Sequence, residues 1–431
     1  MVLTGRAAVL AAIGAVVVAA AVPTTAGVLL VTGVVVALAL ADVALAGSPR
    51  SLRLSRDGDH TARLGTTATV RLGVRNDGRH RVRGLLRDAW PPSAGCATDR
   101  VALDVPARER RLIETSLRPT RRGDRTADRV TVRSIGPLGL AGRQVSHSVP
   151  WTVRVLPPFH ARRHLPSRLA RLREIDGRSA VRVRGQGTEF DSLREYVRGD
   201  DVRSIDWRAT ARHGGVVVRT WRPERDRHVL IVLDTGRTSA GRVGDEPRLD
   251  AAIDTALLLG ALAARAGDRV DLLAFDRQVR ADVARLGATD VLGRMVGTLA
   301  VLEPELLETD YRQLTAEVLA RARQHALVVI VTGLDSGAVE LGLLPVIGQL
   351  TRRHTVVVAS VADPRLASLA AGRGDSDAVY AAAAAEHDRL ARARLAELLS
   401  RRGAHVVDQP PADLPPAVAD AYLELKATGR L

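Results

Sequence analysis

A single cysteine, Cys96, in 431 residues excludes an internal disulfide framework and a Cys-rich zinc site. A single lysine, Lys426, stands among 63 basic residues, and the phosphate-loop pattern Gly-x-x-x-x-Gly-Lys-Ser/Thr is absent, which excludes nucleotide hydrolysis by that route. Aromatic residues make up only 3%, too few rings to stack on a run of bases. The formal charge is +15, yet Arg and Asp are interleaved along most of the chain rather than gathered in one basic tract, so nucleic acid is not the expected partner. No Gly-x-Ser-x-Gly elbow accompanies any serine, and the nearest histidine to Ser192 or Ser204 is His213 beside two glycines, so a hydrolase is not expected. What the chain has is bulk: 46% hydrophobic residues over a length that suggests two or three domains at about 150 residues each.

Residues Ala7 to Ala41 carry no charge, and Pro23, Thr24 and Thr25 interrupt the run near its middle. Two spans are expected, Leu3–Val22 and Gly27–Ala46, each close to the roughly 20 residues that cross a bilayer. A cleaved signal peptide would explain the first but not the second. Arg6 precedes the pair, Arg50, Arg53 and Arg56 follow it, and the turn between has no base, so both ends are expected at the cytoplasmic face. No ionisable group lies between Arg6 and Asp42, which favours an anchor over an ion path.

From Ser51 to Pro157 short alternating runs such as Ala68–Val74, Arg111–Thr115 and Val130–Arg133 are separated by turn residues, which predicts a small antiparallel sandwich or barrel. A connector, Ala161–Arg184, has eight Arg against Glu174 and Asp176, with Leu165, Leu169, Leu172 and Ile175 on one helical stripe. That stripe either packs on a neighbouring domain or rests on anionic lipid, and packing is the expected outcome. Beyond it the period changes again. Val229–Leu233 is apolar throughout, as in a strand covered on both faces, and Val270–Phe275, Leu327–Val331, Thr355–Ser360 and His405–Val407 repeat the pattern with helical stretches between. The expected fold is α/β: two transmembrane helices over residues 1–49, a β-sandwich over 50–158, a connector over 159–226, and a doubly wound sheet over 227–431.

In such sheets ligands meet the carboxyl ends of the strands, where Asp234 stands, followed by Thr235, Gly236, Arg237, Thr238 and Ser239. This strand, acid and hydroxyl loop resemble the von Willebrand factor A domain, whose metal-ion-dependent adhesion site begins Asp-x-Ser-x-Ser. Asp234 and Thr238 match its first and third liganding positions, and Gly236 replaces the middle Ser. Thr309 corresponds to the second-loop Thr, and the fourth-strand Asp falls at Gly333 unless Asp335 substitutes. The resemblance implies a degenerate site for Mg2+ or another divalent cation and no other cofactor.

The most patterned segment runs from Gly185-Gln186-Gly187-Thr188 through Glu189, Phe190, Asp191, Arg194, Tyr196, Asp200, Asp201, Arg203 and Asp206 to Trp207. It closely resembles the signature of the family catalogued as domain of unknown function fifty-eight (DUF58), as do Arg118–Gly123 and Gly136-Pro137-Leu138-Gly139-Leu140. The residues themselves suggest Arg–carboxylate pairs fixing a non-repetitive loop over buried rings, either as an interdomain clamp or as a partner-docking surface. The resemblance implies a bacterial, membrane-anchored, non-enzymatic adaptor that works with a MoxR-type AAA+ ATPase. The alternative is a structural component of envelope biogenesis with no ATPase.

Overall fold

The computed structural model describes residues 1–21, 23–182, 189–198, 200–222, 227–284 and 290–431, with the side chains of 176–192, 213, 220–222 and 336 outside the description. The chain forms two compact units, Met1–Pro158 and Phe159–Leu431.

The first unit begins with a two-residue strand, β1 (Val2–Leu3), then two apolar helices, α1 (Gly5–Ala21) and α2 (Thr25–Leu45). Thr24 caps α2 by accepting a bond from the Gly27 amide. Gly14 lets the helices close, since a methyl group there would lie 2.5 Å from Val31 Cγ1. One helix, α2, is long and apolar enough to cross a membrane. The expected first span is shorter than Leu3–Val22 because Val2 and Leu3 pair with a sandwich strand instead of entering the helix.

The sandwich follows as β2 (Leu52–Gly58), β3 (Thr61–Arg63), β4 (Ala68–Asn76), β5 (Val82–Asp88), β6 (Arg100–Val105), β7 (Arg110–Leu117), β8 (Gly123–Ile135) and β9 (Ala141–Leu156). One sheet runs β1-β9-β8-β5-β6 with β3 also on β9, and the other runs β2-β4-β7. Their inner faces meet in Leu72 and Val74 against Leu86, Val130 and Val132. The interleaved Arg and Asp become surface pairs such as Arg71–Asp57 and Arg154–Asp124, both at 2.8 Å. Arg56 does not flank a membrane span. It is buried in the sandwich, pairs with Asp88 and donates to the Ala127 carbonyl at 2.7 Å. Arg53 likewise pairs with Asp77.

The second unit opens with α3 (Leu165–Arg182), whose Leu172 is buried and whose Arg168 holds Asp420 at 2.8 Å. The connector therefore packs on its own unit, as its apolar stripe predicted. Next come β10 (Glu189–Glu195), α4 (Trp207–His213) and β11 (Val217–Arg222), with β10 and β11 paired antiparallel. The main body then runs β12 (His228–Asp234), α5 (Arg237–Ala240), the short strands β13 (Arg242–Val243) and β14 (Glu246–Pro247), and α6 (Arg248–Arg265). It continues through β15 (Arg269–Phe275), β16 (Val279–Val283), α7 (Val291–Ala300), α8 (Tyr311–Arg321) and β17 (Ala326–Val331). A stepped helical segment follows: α9 (Ser336–Ala338), a π-turn at Val339–Leu343, and α10 (Ile347–Thr351). The chain ends with β18 (Thr355–Val361), α11 (Arg365–Ala370), α12 (Ser376–Arg401), β19 (Ala404–Gln409) and α13 (Leu414–Ala427). The six-stranded order is β16-β15-β12-β17-β18-β19, parallel except for β16. Strands β12 and β17 are buried almost throughout, which is why their sequences are continuous apolar runs.

Near the start of this unit the Ala161 amide donates to both carboxylate oxygens of Asp254 on α6, at 2.9 and 3.2 Å. Burial pushes the Asp254 carboxyl from 3.8 up to about 6, and Glu246 adds to the rise, against the amide bond, His160 and Arg163. Because the folded value is raised, the stabilisation is complete below the unfolded value of 3.8 and is lost as pH rises through about 6. Asp254→Asn is expected to be more stable than the parent by about 1–3 kcal/mol at neutral pH and equal to it in acid. Urea unfolding of the full chain in detergent at both pH values checks this; parallel pH profiles for variant and parent reject it.

Candidate functional site

Strand β12 lies between β15 and β17, so the segments leaving their carboxyl ends converge on its last residue, Asp234. Asp234 is wholly buried, and its carboxylate accepts five hydrogen bonds. Oδ1 takes the Gly236 amide at 2.8 Å and the Thr309 hydroxyl at 2.5 Å. Oδ2 takes the hydroxyls of Thr238 at 2.9 Å, Tyr311 at 3.0 Å and Thr332 at 2.5 Å. Ser239 donates to the Asp234 carbonyl at 2.6 Å. Burial, then the Asp234 charge, push the Tyr311 phenol well above its usual value, so it stays a donor. Asp310 caps α8 through the amides of Arg312 and Gln313, which fixes Tyr311 at the helix start. Gly342 in the π-turn lets the Tyr311 ring lie close, since a methyl group there would sit 2.5 Å from Cδ2.

Three of the expected residues, Asp234, Thr238 and Thr309, are thus brought together. Asp335 is not among the donors and acceptors of that cluster: its Oδ1 lies 3.4 Å from the Arg248 guanidinium. The same Arg248 nitrogen would lie 3.3 Å from a methyl group at Gly333, so a cation stands beside the place where the resemblance puts an acid. Gly236 is required for a different reason. A side chain there would overlap the Thr309 hydroxyl, so the missing Ser makes room for Thr309 to reach Asp234. One carboxylate with both oxygens covered by protein donors, next to a fixed guanidinium, does not fit a divalent cation. Among the described residues no cluster of three His, Cys, Asp or Glu side chains is placed to hold a metal ion.

Tyr311 and Thr332 escaped sequence reading because their role depends on strand adjacency, not on spacing. A second buried acid, Asp276, accepts the Thr235 hydroxyl at 3.1 Å and the Arg277 amide at 2.6 Å, and it holds the neighbouring loop.

The signature segment is not a non-repetitive loop. From Glu189 on it is strand β10, a 3-10 turn at Val202–Ser204 and α4, leading into β11, while Gly185, Gln186, Gly187 and Thr188 lie outside the described residues. Arg194 grips both oxygens of Asp200 at 2.8 and 2.5 Å. Asp201 caps the turn through the Arg203 amide at 2.9 Å. Asp206 caps α4 through the amides of Arg208 and Ala209 and pairs with Arg219 at 2.7 Å. The expected Arg–carboxylate pairs are therefore present, and of the expected buried rings Trp207 is not buried. Trp207 is 69% exposed, and Leu193, Val197, Val202 and Val216 are also exposed. Tyr196 is half-buried, while the side chains of Glu189, Phe190 and Asp191 lie outside the described residues. Arg198, Arg203, Arg208 and Arg212 of the same segment are exposed as well.

Residues 192–399 match the family model "Protein of unknown function DUF58". The DUF58 match begins inside β10 and ends in α12, so it takes in most of the hairpin and the whole Asp234 cluster. No curated protein matches the chain. Solved structures similar to it include BatB from Bacteroides thetaiotaomicron, 13% identical, covering 46% of this chain and 98% of that one at a TM-score of 0.31. The SpRpn10 VWA domain is 12% identical, covering 46% and 94% at 0.27. A CARDB domain from Pyrococcus furiosus is 14% identical, covering 24% and 91% at 0.19.

Cys96 donates to the Thr98 carbonyl at 3.1 Å, and burial pushes its thiol up, away from a reactive thiolate. A groove of about 690 Å³ along β19 is lined by Asp408, Asp420, Glu424 and Arg171. Within it Asp408 is held by Arg392 and Asp420 by Arg168. The side chains of Ser192 and His213 lie outside the described residues.

Proposed function

We propose that this chain is a membrane-anchored docking protein whose second unit is a degenerate von Willebrand A-like domain. In this reading α1 and α2 form a two-pass anchor with both units in the cytoplasm, and the partner is a MoxR-type AAA+ ATPase. The observation that carries docking is the number of large apolar side chains exposed between Leu193 and Val216. A tryptophan and four aliphatic side chains stand in solvent on a scaffold locked by Arg194–Asp200 and Arg219–Asp206. Exposed aliphatic side chains with a tryptophan, and exposed arginines in the same segment, are the composition of an interface hot spot and suit a partner surface of apolar and acidic residues. Pairing within the segment limits the ordering entropy lost on binding. Two-pass anchoring is supported by the apolar exposed surface of both helices and by Arg6 and Arg50 at their shared end, which have no acidic partner among the described residues.

Trp207→Ala and Val202→Asp are each expected to weaken binding of a purified MoxR-type ATPase to the detergent-solubilised chain by about 10–30-fold, with unfolding midpoints unchanged. Undiminished binding by both variants overturns the docking face. No binding by the parent chain overturns the ATPase as partner and leaves the structural reading, in which the same face serves assembly.

A further inference from the structure

The β8–β9 turn carries the Gly136-Pro137-Leu138-Gly139-Leu140 motif, for which the docking reading has no use. It is a tight turn, with the Gly139 amide donating to the Gly136 carbonyl at 3.1 Å and the Gly136 amide to the Ala141 carbonyl at 3.0 Å. Both apolar helices hold it. Asp42, in the last turn of α2 and wholly buried, accepts the amides of Leu138, Leu140 and Ala141 at 2.7, 2.7 and 2.9 Å. Thr4, just before α1, donates its hydroxyl to the Gly139 carbonyl at 2.6 Å, and its amide donates to the Leu140 carbonyl at 3.0 Å. Any side chain at Gly136 would overlap Asp42, so that glycine is fixed by the clamp. An acid at the end of an apolar helix is expensive in a bilayer unless its charge is taken up by partners. Three backbone amides take it up here, and the turn is thereby held level with the helix ends.

Asp42 lies 17 residues beyond the start of α2, about 26 Å along the helix axis, close to the roughly 30 Å of a bilayer's hydrocarbon core. The turn's one large exposed side chain, Leu138, is 48% exposed. Arg6 lies against Gly139, and Arg143 donates to the Val43 carbonyl at 3.1 Å. Neither arginine has an acidic partner among the described residues.

We propose that the β8–β9 turn is a lipid-contacting element that seats the sandwich in the headgroup layer of an anionic bilayer, with Leu138 inserted and Arg6 and Arg143 facing lipid phosphates. This rests on the membrane-anchored reading above. The full chain with Cys96→Ser, reconstituted in phosphatidylglycerol-containing vesicles, is labelled with a fluorophore at Leu138→Cys, Leu30→Cys or Leu112→Cys in turn. Position 138 is expected to be quenched by headgroup-level nitroxide lipid and to be at least about 3-fold less open to aqueous iodide than the exposed sandwich position 112. Adding Asp42→Ala is expected to bring 138 to the accessibility of 112 while position 30 in α2 stays protected. If 138 is as open as 112 while 30 is protected, the turn does not sit in lipid although the anchor stands. If 30 itself is open to iodide, the anchoring reading fails and the proposal with it.

Discussion

Asp234→Ala is expected to destabilise the second unit by about 3–5 kcal/mol, an effect outside the usual range for single substitutions. The variant leaves the Gly236 amide and the hydroxyls of Thr238, Thr309, Tyr311 and Thr332 without their shared acceptor, and most of these lie away from water. Tyr311→Phe removes one donor of the five and is expected to lose only about 1 kcal/mol. Gly236→Ser, which restores the residue of the metal-binding pattern, is expected to lose about 1–3 kcal/mol, because its side chain must push Thr309 off the carboxylate. Urea unfolding of the full chain in detergent, with and without magnesium, checks all three. A hydrogen-bonded hub gives this ranking with no response to magnesium. A parent midpoint that rises with magnesium, together with a nearly neutral Asp234→Ala in its absence, would reject the hub and reinstate the metal.

The sequence made the central sheet readable because β12 and β17 are covered on both faces and carry unbroken apolar runs, while β15 and β18 do so apart from Asp271 and Ser360. Asp234 was readable for the same reason, as the first acid after such a run. Its partners were only partly so. Thr238 lies four residues on, but Tyr311 and Thr332 are 77 and 98 residues away and arrive through strand adjacency and the cap of α8. Long-range pairing also bears on the bases counted after the second expected span. Arg56 sits near the second span in sequence, yet its carboxylate, Asp88, is 32 residues further on inside the sandwich. In the signature, the density of Arg and carboxylates suggested ion pairs without assigning partners, whereas solvent exposure left no mark in the sequence. An aromatic residue reads as core by default, and Trp207 is not.

The lone lysine supplies the second large expectation. Lys426 on α13 donates to Asp268 Oδ1 at 2.9 Å and to the Tyr422 hydroxyl at 3.2 Å, and Tyr422 donates to Asp268 Oδ2 at 2.5 Å. The side chains of Lys426 and Asp268 are 4% and 1% exposed, so this pair is out of water. Asp268→Ala strands the ammonium and is expected to destabilise by about 3–5 kcal/mol. Lys426→Met is expected to be milder. Burial already pushes the Asp268 carboxyl above its usual range, against Lys426, Tyr422 and Arg227, and losing the ammonium raises it further. The folded variant then keeps a proton that the unfolded chain has shed, so its deficit shrinks as pH falls through the raised value and grows as pH rises past it. The double variant Asp268→Leu with Lys426→Met, which removes both charges, is expected within about 1–2 kcal/mol of the parent. Unfolding midpoints at acid and neutral pH decide it. A deficit in Lys426→Met that is unchanged by pH, or a double variant as weak as Asp268→Ala, would mean that packing rather than charge compensation holds α13 against the sheet.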